Sequence, residues 1–89
     1  MNEERTTLLE FPCRFPLKIM GDKHETFAVT ILTVIQSHAP DTTEMDMIVR
    51  ESSSGNYLAL TVTVTASSKD QLDNIYRALS SHPMVKVAL

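Results

Sequence analysis

Hydrophobic and polar positions change period several times along this chain, and each change marks an element. From Cys13 to Met20 they alternate, with Phe15, Leu17 and Ile19 on one side and Arg14, Pro16 and Lys18 on the other. That is the pattern of a half-buried strand. Pro16 has no N–H, so it must face away from a ladder bond or sit in a bulge. Gly21 is expected to end the strand. Asp22 with Glu25 three positions on resembles a capping box and predicts a helix from there to about Ser37. Pro40 closes it, because the residue before a proline avoids helical angles.

Alternation returns from Glu44 to Ser52, with Met45, Met47 and Val49 against Asp46, Ile48 and Arg50, and Ser53-Ser54-Gly55-Asn56 supplies a hairpin turn. In the next strand Leu58, Leu60, Val62, Val64 and Ala66 point one way, while Ala59, Thr61, Thr63 and Thr65 point the other. Ser68 with Gln71 forms a second capping box, and Leu72, Ile75, Tyr76 and Leu79 recur at helical spacing down to His82, where Pro83 stops the helix. Met84 to Leu89 alternates once more, predicting Val85, Val87 and Leu89 inside and Met84, Lys86 and Ala88 outside.

The order strand, helix, strand, strand, helix, strand, with connections of a few residues, narrows the topology. A helix of about 14 residues spans ~21 Å, close to the length of a six-residue strand. Right-handed crossovers then give an α+β, ferredoxin-like βαββαβ two-layer sandwich. Its four-stranded antiparallel sheet has order 4-1-3-2, both helices lie on one face, and the other face is open.

Composition narrows the class. The chain has 89 residues, 43% apolar and 21% charged, with net charge −3, which predicts one domain over 1–89: an N-terminal extension, 1–11, partly flexible, and a core from 12 to 89. No run approaches the ~18 apolar residues of a membrane span, and the polar opening Met1-Asn2-Glu3-Glu4-Arg5 is unlike a secretory signal, so a cytoplasmic protein is expected. A single cysteine, Cys13, excludes an internal disulfide framework and a Cys-rich zinc module. The acidic balance disfavours a general nucleic-acid binder.

The segments Leu8-Leu9-Glu10-Phe11-Pro12, Lys18-Ile19-Met20-Gly21, His38-Ala39-Pro40, Ser53-Ser54-Gly55-Asn56-Tyr57 and Val85-Lys86-Val87-Ala88-Leu89 resemble, in order and spacing, the YbeD family of small bacterial proteins. The resemblance covers Leu8 to Leu89. It implies an ACT-like ferredoxin fold, a standalone domain without established catalytic activity, and an association by gene neighbourhood with lipoate metabolism. It implies no catalytic residue, and no cofactor is expected for the chain.

Four kinds of function can be weighed on the residues themselves. Catalysis would draw on Cys13, His24, His38 or His82, yet Cys13 has only Arg14 beside it to lower its pKa and no base at hand in sequence. The three histidines lack metal-ligand spacing. A non-enzymatic domain is therefore expected. RNA recognition on this topology stacks bases on aromatics of the central strands, but those positions hold Thr61, Thr63, Thr65, Arg14, Pro16 and Lys18. Small-molecule sensing, as in ACT domains, would place a carboxylate at Gly21 and Asp22, on backbone N–H groups opening the first helix. The negative charge of Asp22 and Glu25 opposes it.

Protein contact has the most in its favour. On the first helix Phe27, Ile31, Val34 and Ile35 face the sheet, while Val29 and Leu32 fall on an outer side that carries no charge. The N-terminal Leu8, Leu9 and Phe11, a partner, or a second copy making a homodimer would cover them. The open sheet face gathers Arg14, Lys18 and Lys86 beside the threonines, which predicts an acidic protein partner there. The second reading is a carboxylate sensor at the Gly21 loop.

Overall fold

Two long strands form the spine of the sheet, and their register decides which side chains meet. In the computed structural model, which describes residues 10–89, β1 (Cys13–Asp22) pairs antiparallel with β3 (Tyr57–Ala66) over ten residues, from Cys13 opposite Ala66 to Asp22 opposite Tyr57. The inward-facing residues of both strands therefore coincide. Leu17 and Ile19 lie beside Leu60, Val62 and Val64, all but sealed from solvent. β2 (Met47–Glu51) pairs along the outer side of β3 and β4 (Val85–Ala88) along β1, giving the order β2-β3-β1-β4. This is the expected 4-1-3-2 read from the opposite edge.

Helices α1 (Phe27–Gln36) and α2 (Lys69–Ser80) cover one face. Phe27, Ile31 and Ile35 from the first and Leu72, Ile75 and Leu79 from the second join the same core cluster as the strands. Each such side chain removed from water contributes about 1.5–3 kcal/mol before entropy is counted. The Ser68 cap holds, with its hydroxyl accepting from the Gln71 N–H at 3.1 Å. Gln71 reaches back to the N–H of Ser67, at 2.6 Å, rather than to that of Ser68, and its amide donates to the His38 carbonyl at 2.8 Å. One side chain thus ties the start of α2 to the loop after α1.

Four local expectations are corrected. β1 does not end at Gly21 but runs through it, and α1 begins at Phe27 behind Thr26, with no side-chain cap. Asp22 belongs to the strand, so the Asp22–Glu25 capping box does not form. The residues Glu44–Asp46 make a single 3-10 turn instead of strand, because Thr43 and Asp46 close a capping box of their own: the Thr43 hydroxyl accepts from the Met45 N–H and Asp46 accepts from the Thr43 N–H. Met45 is thereby turned out to solvent, 94% exposed. Finally, β4 is out of phase with its own alternation. Val85 lies opposite Gly21 and Val87 opposite Met20, so Lys86 is an extra residue in a bulge. Val85 and Ala88 pack on the core, while Val87 and Leu89 face away from it.

Candidate functional site

Seen across the strands, the uncovered side of the sheet resolves into rows. One reads Ile48, Thr61, Lys18 and Leu89, the last two joined by reciprocal backbone hydrogen bonds of 2.9 and 2.7 Å. The next reads Arg50, Ala59, Met20 and Val87. Together these eight residues line a concavity of about 480 Å³. Ala59 and Thr61, the shortest side chains of the two rows, leave its floor low. Ile48 stands on one flank and Met20, Val87 and Leu89 on the other, all substantially exposed.

The bulge at Lys86 builds this apolar flank. Had β4 kept a strict alternation, Val87 and Leu89 would have joined the core, and Met20 would have stood alone on this flank. Pro16, on the same face, is accommodated within β1 without a missing ladder bond. Lys18 directs both its backbone groups at Leu89, so Pro16, two residues earlier, directs its nitrogen at the same side, past the end of β4, where no donor is needed.

Charge on this face is unevenly satisfied. The Arg14 guanidinium donates to Asp46 at 2.7 Å and to the Thr65 hydroxyl at 2.9 Å. Asp46 is held below the usual aspartate range, first by the backbone N–H of Thr43 and then by Arg14. Lys23 pairs with Glu51 at 3.0 Å, and Lys86 lies 3.8 Å from Asp22. Lys18 and Arg50, on the rim of the concavity, are exposed and make no ion pair among the described residues.

The expected protein-contact residues therefore divide. Lys18 stands where the open-face reading puts it. Arg14 and Lys86 share the face but carry carboxylate partners, and Arg50, missed in sequence, takes their place at the site. The signal for Arg50 was its alternation with Val49, which puts it on the open face with Ile48. On α1, Val29 is 60% exposed as expected, whereas Leu32 is only 8% exposed and is a correction. It sits in a second, smaller groove with Ala28, Val29, Met47 and Val49, rimmed by Glu25 and Glu44. Of the N-terminal segment expected to cover Val29, Leu8 and Leu9 lie outside the described residues, and Phe11 packs against the main core.

Gly21 and Asp22, expected in a loop opening the first helix, lie in β1 instead, and the helix begins five residues after Asp22. Gly21 is buried within β1. A Cβ there would collide with the Met84 carbonyl and come within 2.6 Å of the Phe27 ring, so close packing and not ligand access requires glycine. Asp22 is exposed beside Lys86. The histidines serve turns: the Nδ1 of His24 accepts from the Thr26 N–H at 3.2 Å, that of His82 from the Met84 N–H at 3.1 Å, and the His38 carbonyl receives Gln71. Among the described residues no three His, Cys, Asp or Glu side chains gather as a metal site, and no helix is long and apolar enough to cross a membrane.

Comparison with known proteins sets this geometry in a family. Residues 6–89 match the model described as "Protein of unknown function (DUF493)". A UPF0250 protein of Chromobacterium violaceum is 60% identical over 89 residues, all of both chains. One from Neisseria gonorrhoeae is 52% identical over 87 residues, 98% of this chain and 96% of the other. UPF0250 is the family of YbeD, to which the sequence segments pointed. The solution structure of protein HP0495 from H. pylori superposes with a TM-score of 0.70 at 13% identity, covering 91% of this chain and 85% of that one, and supports the small α+β fold.

Proposed function

The chain belongs to the DUF493 family of UPF0250 proteins, and from that premise we propose that it is a non-enzymatic, cytoplasmic adaptor or regulatory domain that docks an acidic segment of another protein on its open sheet face. The observation that carries this reading is the pair Lys18 and Arg50. Neighbouring cations are neutralised within the chain, while these two flank an exposed apolar concavity without a carboxylate of their own among the described residues. A complementary charge would steer encounter and fix orientation, and the apolar flanks would supply the area buried. The resemblance to YbeD adds an association with lipoate metabolism to the proposal.

The test is a photoreactive amino acid in place of Met20, introduced in the living bacterium. The expected result is a defined adduct whose mapped peptide is rich in Asp and Glu, lost in the Lys18→Glu/Arg50→Glu double variant while the melting temperature is unchanged. An equal adduct from a label at the exposed Asn74 of α2, or an adduct indifferent to the charge reversals, overturns the reading.

A further inference from the structure

The dimensions of the concavity specify the docking element more closely. Resting on the open-face docking of an acidic segment proposed above, we infer that the occupant is an acidic amphipathic α-helix of the partner, lying along the diagonal from Lys18 to Arg50.

Lys18 and Arg50 stand two strands and two residues apart, and with strands ~4.8 Å apart and ~6.8 Å per two residues their Cα atoms are separated by ~12 Å. The opposite diagonal, from Ile48 to Met20, has the same construction and the same ~12 Å span. The site is thus a saddle: cations at the two ends, apolar walls at the two sides, and the short Ala59 and Thr61 between them. A helix with its side chains is ~10–12 Å wide, which fills the space from wall to wall. An extended segment is about half as wide, at ~4.8 Å per strand, and would leave one wall exposed. Along a helix axis, positions i and i+7 are ~10.5 Å apart and share a face with i+3 and i+4. Carboxylates at i and i+7 then meet Lys18 and Arg50, and apolar residues at i+3 and i+4 settle over Ala59 and Thr61 between Ile48 and Met20. The second groove, beside Val29, has the wrong sign for this occupant, since Glu25 and Glu44 rim it.

The experiment uses the full chain and a labelled synthetic helical peptide with Glu at i and i+7 and Leu at i+3 and i+4, followed by fluorescence anisotropy. The expected result is saturable binding that weakens at least ~tenfold with Arg50→Glu and is restored when the Glu paired with it becomes Lys in the peptide. A peptide of the same composition with proline at its centre should bind at least ~tenfold more weakly, having lost the helix. If the proline peptide binds equally and keeps its sensitivity to Arg50→Glu, the helix is overturned while acidic docking stands. If neither peptide binds and the Met20 label yields no adduct, both fail. If sedimentation shows the chain pairing with itself through this face, and Arg50→Glu abolishes the pairing, the occupant is a second copy and the inference is overturned.

Discussion

The two faces of the sheet are built by the same alternation and have opposite fates. On the helix side Leu17, Ile19, Leu60, Val62 and Val64 interlock with both helices, and every position is decided by packing. On the other side Thr61, Thr63 and Thr65 sit half-buried among charged neighbours, and at one end a single bulge turns Val87 and Leu89 outward to meet Met20 and Ile48. Packing accounts for the strand positions of the first face. It does not account for the second, where exposed apolar side chains lie between two cations without ion-pair partners among the described residues.

The largest effects should fall on the covered face. Leu17→Ala is expected to destabilise the chain by about 3–4 kcal/mol, since it opens a cavity in a sealed core. Ile48→Ala, an aliphatic truncation on the open face, should cost less than about 0.5 kcal/mol. Equal losses in urea unfolding would mean that both faces are structural, and the comparison would collapse. Gly21→Ala comes next, at about 3 kcal/mol by the same measurement, because the added methyl group meets the Met84 carbonyl and the Phe27 ring, which are buried against it.

The covered side also has a small flaw. The hydroxyl of Thr42 is buried without a hydrogen-bond partner among the described residues. Thr42→Val keeps the shape and removes the unmet donor, so it should be neutral or raise stability by up to about 1 kcal/mol. A loss of stability instead, read from the denaturation midpoint, would show that the hydroxyl is satisfied in solution.

The smallest effect sharpens the open face. In the folded chain the Asp46 carboxyl titrates below the ordinary aspartate range. Its contribution to stability is therefore present above that range and is lost as the pH falls through the lowered value. Arg14→Ala should move the titration, followed by carboxyl-carbon NMR, upward toward the ordinary value. It should remain lowered, because the Thr43 N–H is the larger cause. A full return would make Arg14 the main partner.

Most of the fold was legible because its signals are local: the long uninterrupted alternation of β1 and β3, and the Ser68 cap with its Gln71. Three features were not. Met45 alternates correctly with Met47, but the Thr43-to-Asp46 capping box closes the backbone into a turn first, and that signature was present in the chain. Val87 and Leu89 are more apolar than Ala88, so hydrophobicity alone assigns them inward. Only the register, with Val85 opposite Gly21, Val87 opposite Met20 and Lys86 left over between them, shows the opposite phase. The pairing of Arg14 with Asp46, 32 residues apart, depends on that same 3-10 turn. The candidate site was thus half visible: Lys18 and the face itself came from alternation, while its apolar wall and Arg50's role came from register.

Mapping peptide-induced shifts of backbone amides by 15N NMR tests the central claim most directly. With the acidic helical peptide, perturbations should cluster on Lys18, Met20, Ile48, Arg50, Ala59 and Thr61 and fade as salt is raised. Perturbations centred on Val29, Leu32 and Val49, or indifferent to salt, would contradict an open face that recognises an acidic partner.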